Sequence, residues 1–338
     1  MDVSEFDYHL PAGHIAQSAI EPRDASRLLV AATLDDRMFR DLPDLLEEGD
    51  LLVVNRTRVR RARLGGVRRE TGGVVEVLLT KRGEGRSWEA MIRSSNPVRT
   101  GTVIDFPGII GTTTSEPERG IVTIDLESEG DVDDLLAVVG TMPLPPYFHG
   151  VLDDDERYQT IFAKEIGSAA APTASLHFTP RLLSSLHEAG VATTEIGLEV
   201  GLDTFRPMAE GEVDDHTMHR ERFNIPDLAA AHINSTSVAG GRVIAVGTTV
   251  VRALESSVRG DEVIPTEGET DLFIRPGYRP QVVDALITNF HAPRTTLLVL
   301  VASLLGDRWQ QVYQHAIASG YRFLSFGDAM LIDIPTNR

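Results

Sequence analysis

The sequence of 338 residues contains no cysteine. This absence excludes disulfide bonds, thiol nucleophiles, thiolate zinc sites and iron–sulfur clusters. Long apolar runs are also missing, because the longest one, Leu297 to Leu305, is far shorter than the roughly 20 residues that span a bilayer. The acidic amino-terminal stretch lacks the basic and apolar regions of a secretory signal. Together these absences predict a cytoplasmic protein without a membrane segment.

Lysine is scarce, since only Lys81 and Lys164 occur, so almost all positive charge is carried by guanidinium groups. The formal net charge is −18, which by itself disfavours a polyanionic partner. Against this background, seven arginines fall between Asn55 and Arg69, a segment called the arginine strip below. Guanidinium binds phosphate in a bidentate way, so the strip predicts an anion-binding surface; a charged edge strand is the alternative. These seven are Arg56, Arg58, Arg60, Arg61, Arg63, Arg68 and Arg69.

The pattern of predicted elements changes along the chain. Short β-rich runs separated by Gly, Pro or polar turns extend from about Arg60 to Ser128, and about six strands at this spacing favour a small closed barrel or sandwich. A proline-rich stretch near Pro145 indicates a domain junction. From about Asp153 onward helices and strands alternate, with "DERYQTIFAKEI" as the first predicted helix. This alternation predicts an α/β domain with a substantially parallel sheet.

Hydroxyl and imidazole side chains are concentrated where predicted strands lead into helices. Ligands in parallel sheets bind at the carboxyl ends of the strands, so these junctions predict a shared pocket. The alternative is a set of independent helix caps, because Thr, Ser and Asn often cap helices. The junctions carry Thr173, Ser175 and His177; Glu199 and Thr204; Thr248, Thr249 and Arg252; and Asn289, His291 and Arg294.

The segment "DDHTMHRERF" contains His216, His219 and Glu221, whose spacing could hold a metal ion. No obvious helix fixes the two rings on one face, so we expect no metal and interpret these residues as catalytic or substrate-binding. The chain has neither the G-x-G-x-x-G fingerprint nor a Walker loop, so a nucleotide-derived ligand would be bound differently.

Several long blocks, in the same order, match one known family: "FDYHLPAGHIAQ", "GDLLVVNRTRVRRARL", "DDERYQTIFAKEIGSAAAPTASLHFT", "RVIAVGTTVVRALES" and "VDALITNFHAP". The chain resembles the S-adenosylmethionine:tRNA ribosyltransferase-isomerases of queuosine biosynthesis, essentially from end to end. The resemblance implies an α/β catalytic domain, residues 1–59 and 146–338, with an antiparallel β-barrel domain inserted at residues 60–145.

The resemblance also implies a reaction. The ribosyl part of S-adenosylmethionine, the co-substrate, is transferred to the aminomethyl group of a 7-deazaguanine in tRNA and isomerises, giving epoxyqueuosine with release of adenine and methionine. A sulfonium acidifies the adjacent sugar C–H, so a positioned base can remove that proton. By residue type, the candidate catalytic residues are His177, His219, His291 and Glu199. We expect His291 to keep an ordinary pKa and to exchange protons near neutral pH.

The remaining candidates follow from the same resemblance. One set is expected to bind substrate: Thr173, Ser175, Thr204, Glu221, Thr248, Thr249, Arg252, Asn289 and Asp328. A second set is expected to bind tRNA: Arg56, Arg58, Arg60 and Arg63. We further expect a monomer that requires no metal.

This sequence departs from the usual family pattern at Arg56, Ser175, Glu199, Asp203 and Ala292. These changes cluster in the predicted pocket. They leave open a divergent paralogue that uses S-adenosylmethionine on a small-molecule acceptor, and a non-catalytic module that only binds tRNA.

Overall fold

The computed structural model describes residues 1–118, 120–152, 154–201 and 206–335. The chain divides into two compact units. The larger comprises Met1–Arg58, Pro145–Glu165 and Ala171–Arg338, and the smaller comprises Val59–Leu144 and Ile166–Ala170.

Ile166–Ala170 returns to the smaller unit although the sequence-based boundary lay at 145/146. The backbone amide of Arg60 donates to the carbonyl oxygen of Ser168 at 2.9 Å, and this hydrogen bond links the two segments. A contact between residues so far apart in the chain leaves no trace in local composition.

The strands are numbered in chain order. They are β1 (Arg27–Val30), β2 (Asp35–Met38), β3 (Leu51–Asn55), β4 (Thr57–Val59), β5 (Arg63–Arg68), β6 (Val74–Arg82), β7 (Ser87–Ser94), β8 (Val103–Phe106), β9 (Ile109–Thr113), β10 (Ile121–Glu127), β11 (Glu165–Ser168), β12 (Ala192–Leu198), β13 (Glu221–Ile225), β14 (Val243–Val246), β15 (Val258–Arg259), β16 (Glu262–Val263), β17 (Thr266–Thr270), β18 (Ala285–Asn289) and β19 (Ala329–Asp333).

The α-helices, numbered in the same way, are α1 (Val132–Val139), α2 (Pro180–Glu188), α3 (Asp227–Ala239), α4 (Thr248–Ser256), α5 (Thr296–Leu305) and α6 (Trp309–Ala318). Within the described part of the chain, no helix is both long and apolar enough to cross a membrane.

The larger unit is built on a nine-stranded sheet in the order β17-β13-β12-β3-β14-β18-β19-β1-β2. Its interior strands β12, β3, β14 and β18 run parallel to one another. Every residue of β3, β14 and β18 is buried, as expected for parallel strands with both faces covered. Strand β19 pairs antiparallel with β18 but parallel with β1, so the sheet is mixed. The predicted α/β class with a substantially parallel sheet is confirmed.

The smaller unit contains a closed antiparallel barrel in the order β10-β7-β6-β5-β8-β9. Its core includes Trp88, Val77 and Ile104, which alternate with more exposed positions along their strands. The barrel expected from the β-rich composition is therefore confirmed. Strand β5 is formed by part of the arginine strip.

The predicted helix "DERYQTIFAKEI" is wrong. The segment forms a 3₁₀ turn at Asp155–Tyr158, a second turn at Ile161 and Phe162, and then β11. The amides of Lys164 and Glu165 both donate to the carbonyl oxygen of Arg56, at 2.8 and 3.3 Å. These amides are therefore bonded to the link between β3 and β4, which is distant in sequence, and cannot bond within a helix.

Candidate active site

A cleft of about 610 Å³, counting its open mouth, lies at the carboxyl ends of β14 and β18. The walls come from Ala171–Ala174, from the turn into α4 and from the segment after β18, and Val200 adds a wall after β12. The structure thus brings together five of the candidate site residues: Thr173, Thr248, Thr249, Asn289 and His291.

The turn into α4 carries a hydroxyl group with no fixed partner. Gly247 has φ +96°, a conformation that disfavours side chains, and it makes the sharp turn from β14 into the helix. Thr249 follows with its side chain buried, and its Oγ1 has no hydrogen-bond partner among the described residues. Because Thr249 lines the cleft and the helix N-terminus favours negative charge, this corner suits a polar ligand group.

A chain of hydrogen bonds runs from the cleft into the protein interior. Thr173 Oγ1 donates to Asn289 Oδ1 at 2.8 Å, and Asn289 Nδ2 lies 3.2 Å from His177 Nε2. His177 Nδ1 lies 2.7 Å from Ser26 Oγ. Because the Asn289 amide must donate to Nε2, His177 carries its proton on Nδ1 and donates to Ser26. Asn289 also donates to the carbonyl oxygen of Asp328 at 3.4 Å, so its orientation is fixed from several sides.

His177 itself lies behind the cleft wall and stacks on Phe39, with ring centroids 4.8 Å apart. Burial, together with the nearby positive charges of Arg157, Arg322 and Arg23, lowers the pKa of His177 to about 3. The ring is therefore neutral at physiological pH. Its contacts suit a residue that orients Asn289 better than one that exchanges protons with a substrate.

His291 lines the cleft, as the sequence analysis expected. Its Nε2 lies 3.0 Å from Thr288 Oγ1, its backbone amide donates to Tyr313 Oη at 3.1 Å, and Tyr8 Oη donates to its carbonyl oxygen at 2.5 Å. Burial lowers the pKa of His291 to about 3. The expectation of an ordinary pKa is wrong, because the turn after β18 removes the ring from bulk water.

Ser175 and Asp328 lie outside the cleft lining. Ser175 is fully buried, and its Oγ has no partner among the residues that the structure describes. The Asp328 carboxylate accepts hydrogen bonds from the backbone amides of Arg27 at 3.0 Å and Arg322 at 2.8 Å. Asp328 thus organises the backbone behind the cleft.

Arg252 and Glu221 form a buried ion pair, and neither residue lines the cleft. Arg252 Nε also donates to the carbonyl oxygen of Leu272 at 2.9 Å, and Glu221 Oε1 accepts from the amide of Gly201 at 3.2 Å. The pair therefore holds the segment after β12, which contributes Val200 to the cleft.

Two further candidates, His219 and Glu199, do not line the cleft. His219 is exposed. The partial burial of His216 and, to a smaller extent, the neighbouring His219 lower the pKa of His216. Glu199 is half-buried, with its backbone amide bonded to the carbonyl oxygen of Arg222. Thr204 lies outside the described residues. No group of three or more potential metal ligands occurs in the described ranges.

The four arginines predicted to bind tRNA all contact carboxylates of their own unit. Arg56 faces Glu165 at 3.0 Å, Arg60 faces Asp133 at 2.7 Å and Arg63 faces Glu76 at 3.7 Å, while Arg58 pairs with Glu156. Arg60 also lies over the ring of Trp88. The arginine strip is therefore largely charge-compensated, and tRNA binding there stays a prediction.

Four polar residues of the cleft were missed by the sequence analysis: Tyr147, Thr288, Thr295 and Ser325. Tyr147 Oη lies 2.5 Å from Ser325 Oγ, and both residues line the cleft, as does Thr288. Tyr147 and Ser325 occur far from any strand-to-helix junction, so the rule that found the other residues could not find them.

Residues 3–332 match the model of a family described as "Queuosine biosynthesis protein". The chain belongs to this family. The S-adenosylmethionine:tRNA ribosyltransferase-isomerase of Symbiobacterium thermophilum is 50% identical over 340 residues, covering 98% of this chain and 100% of the relative. The protein of the same name from Moorella thermoacetica is 49% identical over 344 residues, with 98% and 100% covered.

A solved structure of the queuosine biosynthesis family adds to the sequence matches. The crystal structure of the S-adenosylmethionine tRNA ribosyltransferase of Thermotoga maritima matches with a TM-score of 0.54 at 35% identity, covering 97% of this chain and 100% of that chain. The family membership expected from the quoted sequence blocks is therefore confirmed.

Proposed function

We propose that this protein is an S-adenosylmethionine:tRNA ribosyltransferase-isomerase, which transfers and isomerises the ribosyl group of S-adenosylmethionine onto the 7-aminomethyl-7-deazaguanine of tRNA. The observation that carries the proposal is the full-length match, at about half identity, to relatives that bear this name. The products are epoxyqueuosine in tRNA, adenine and methionine.

The cleft suits the nucleoside part of S-adenosylmethionine. Ala171, Pro172 and Ala174 present little side-chain bulk, so a flat base can approach the backbone closely. Thr173, held by Asn289, and the unpartnered hydroxyl of Thr249 offer polar contacts that could orient the sugar. A mostly apolar wall with a few placed polar groups is the usual composition of such sites.

His291 is the imidazole that we propose contacts the substrate, because it lines the cleft. Its low pKa keeps the ring neutral, so it can hydrogen-bond to the sugar but is neither a stored acid nor a strong base at neutral pH. His291→Gln keeps the size and one hydrogen bond, and we expect turnover to fall about 100-fold with little change in melting temperature. Near-wild-type turnover would remove His291 from the catalytic candidates.

For the tRNA, we propose that the arginine strip exchanges its present carboxylate partners for phosphates. The side chains of Arg58 and Arg63 are both 33% exposed, so phosphates could reach them. Because the proposed acceptor is tRNA, the protein would act in the cytoplasm; we also propose a monomer, to be checked by light scattering.

Release of adenine from labelled S-adenosylmethionine tests the proposed function and separates its alternatives. We would compare tRNA that carries the aminomethyl deazaguanine, the same tRNA with guanine at that position, and no tRNA. Release only with the deazaguanine tRNA supports the proposal. Release without tRNA would support a small-molecule acceptor, and binding without any release would support a non-catalytic module.

A further inference from the structure

A second, smaller cavity of about 230 Å³, counting its mouth, lies beside the cleft in the larger unit. Three arginines line it, together with His177. The cavity shares Ser325 with the cleft, and His177 bonds to Asn289 of the cleft wall. It has less than half the volume of the cleft, so it suits a chemical group rather than a whole nucleoside. The arginines are Arg23, Arg157 and Arg322.

These guanidinium groups are held in place mainly by backbone carbonyls. Arg23 donates to the carbonyl oxygens of Gln159 at 2.6 Å and Glu156 at 3.0 Å. Arg157 Nη2 donates to the carbonyl oxygen of Ile20 at 2.7 Å. Neutral acceptors fix the orientation of a guanidinium group but leave its charge uncompensated.

Arg322 is fixed in the same way, through the carbonyl oxygens of Ser18 at 3.1 Å and Phe326. Its Nε and the Nη1 of Arg157 are buried and have no hydrogen-bond partner among the described residues. Buried charged donors without an acceptor are costly, so a bound acceptor would be favoured here.

The surrounding carboxylates compensate this charge only in part. Glu21 pairs with Arg157 Nε but is 66% exposed, and Glu156 pairs with Arg58. Both oxygens of Asp328 accept backbone amides. Burial, and then the charge of Arg157, lower the pKa of Arg23, which shows that like charges face each other here. In the arginine strip, by contrast, five of the seven members contact a carboxylate: Arg56, Arg58, Arg60, Arg63 and Arg69.

We propose that Arg23, Arg157 and Arg322 form a binding site for an oxyanion, a carboxylate or a phosphate, in the cavity that adjoins the cleft at Ser325. The identity of the anion rests on the proposed function, which supplies two sources: the methionine carboxylate of S-adenosylmethionine and a phosphate of the tRNA. Among the described residues, no acidic or basic side chain other than the neutral His291 lines the cleft itself, so a cationic side chain that binds the carboxylate of a ligand there must come from outside this lining.

Calorimetry on the full-length protein separates the two sources. Arg157→Gln and Arg322→Gln each remove one charged donor group. If the site holds the methionine carboxylate, affinity for S-adenosylmethionine falls at least about tenfold, while affinity for decarboxylated S-adenosylmethionine is unchanged. If it holds a tRNA phosphate, only tRNA affinity falls, and its salt slope decreases by about 0.7–0.9 for each phosphate that the variant no longer binds.

Arg308→Gln is the matched control. Arg308 also donates to two backbone carbonyls, those of Ala31 and Ala32 at 3.2 and 2.9 Å, but lies outside both linings. We expect this variant to bind all ligands as the wild type does. An equal loss of affinity for the carboxylated and decarboxylated ligands in Arg157→Gln would indicate a structural effect and count against the carboxylate.

One measurement needs no variant and does not depend on the proposed function. Inorganic phosphate added to the wild-type protein should shift the imidazole NMR signals of His177 but not those of the exposed His232. If the wild type binds neither S-adenosylmethionine nor tRNA, the proposed function fails while this measurement still tests the anion site. Unshifted His177 signals, with unchanged affinities in both variants, would overturn the proposal.

Discussion

Two buried neutral histidines should make the protein sensitive to acid. His177 and His291 each have a pKa of about 3 in the folded state, against an ordinary value of 6.5. In the unfolded chain both rings regain the ordinary value, so unfolding takes up protons below about pH 6.5. The stability that these neutral rings contribute is complete above this pH and is lost as the pH falls toward 3.

The size of the effect follows from the shift. At about pH 5, protonation stabilises the unfolded state by about 2 kcal/mol per histidine. The pH is then about 1.5 units below the unfolded pKa, and each unit is worth about 1.4 kcal/mol. Together the two histidines should lower the free energy of unfolding by about 4 kcal/mol between about pH 7.5 and about pH 5. A loss of this size is a large part of the stability of most proteins.

Urea unfolding of the larger unit at the two pH values measures this loss. Replacing one buried ring, in His177→Gln or His291→Gln, should reduce the pH-dependent loss by about 2 kcal/mol, whatever the variant costs at neutral pH. His232→Gln, at an exposed position of α3, is the matched control and should leave the loss unchanged. If wild type and both buried-site variants lose equal stability, the two rings are not neutral and buried as described.

Three further predictions concern the cleft, the buried ion pair and the tRNA surface. Asn289→Leu removes the hydrogen bonds to Thr173 and His177 and should lower turnover about 100-fold. Asn234→Leu is the control, because it breaks two hydrogen bonds to Val263 outside the cleft and should leave turnover unchanged. Equal turnover in the two variants would refute a role for the hydrogen-bond chain through Asn289. Arg252→Gln should lower the free energy of urea unfolding by about 3–5 kcal/mol, because it removes the cation of a buried ion pair with Glu221. Arg220→Gln, from an exposed pair, should cost below about 1 kcal/mol, and similar losses would contradict the burial of the first pair. Neutralising part of the arginine strip should lower the salt slope of tRNA binding by about 0.7–0.9 for each phosphate that is no longer bound, without changing S-adenosylmethionine affinity, and an unchanged slope would favour a charged edge strand. The strip residues to neutralise are Arg58, Arg60 and Arg63.

Local sequence was enough to predict most of the elements and the type of place where the cleft lies. The apolar runs of β3, β14 and β18 predict buried parallel strands, and their carboxyl ends do carry Thr249, Asn289 and His291. These predictions hold because strand and helix periodicity, and the turn at Gly247, are properties of neighbouring residues.

The roles of single polar residues were decided by tertiary structure. His177 meets Ser26, which is 151 positions away, and Thr173 meets Asn289 across 116 positions. Arg252 resembled an anion-binding residue until the fold placed Glu221 against it. The charge state and partner of a buried polar group depend on which distant residues surround it, because desolvation and hydrogen bonding are set by packing. The sequence by itself therefore determined the family, most of the elements and the cleft's position, whereas only the tertiary structure decided which side chains line the cleft and which contact each other.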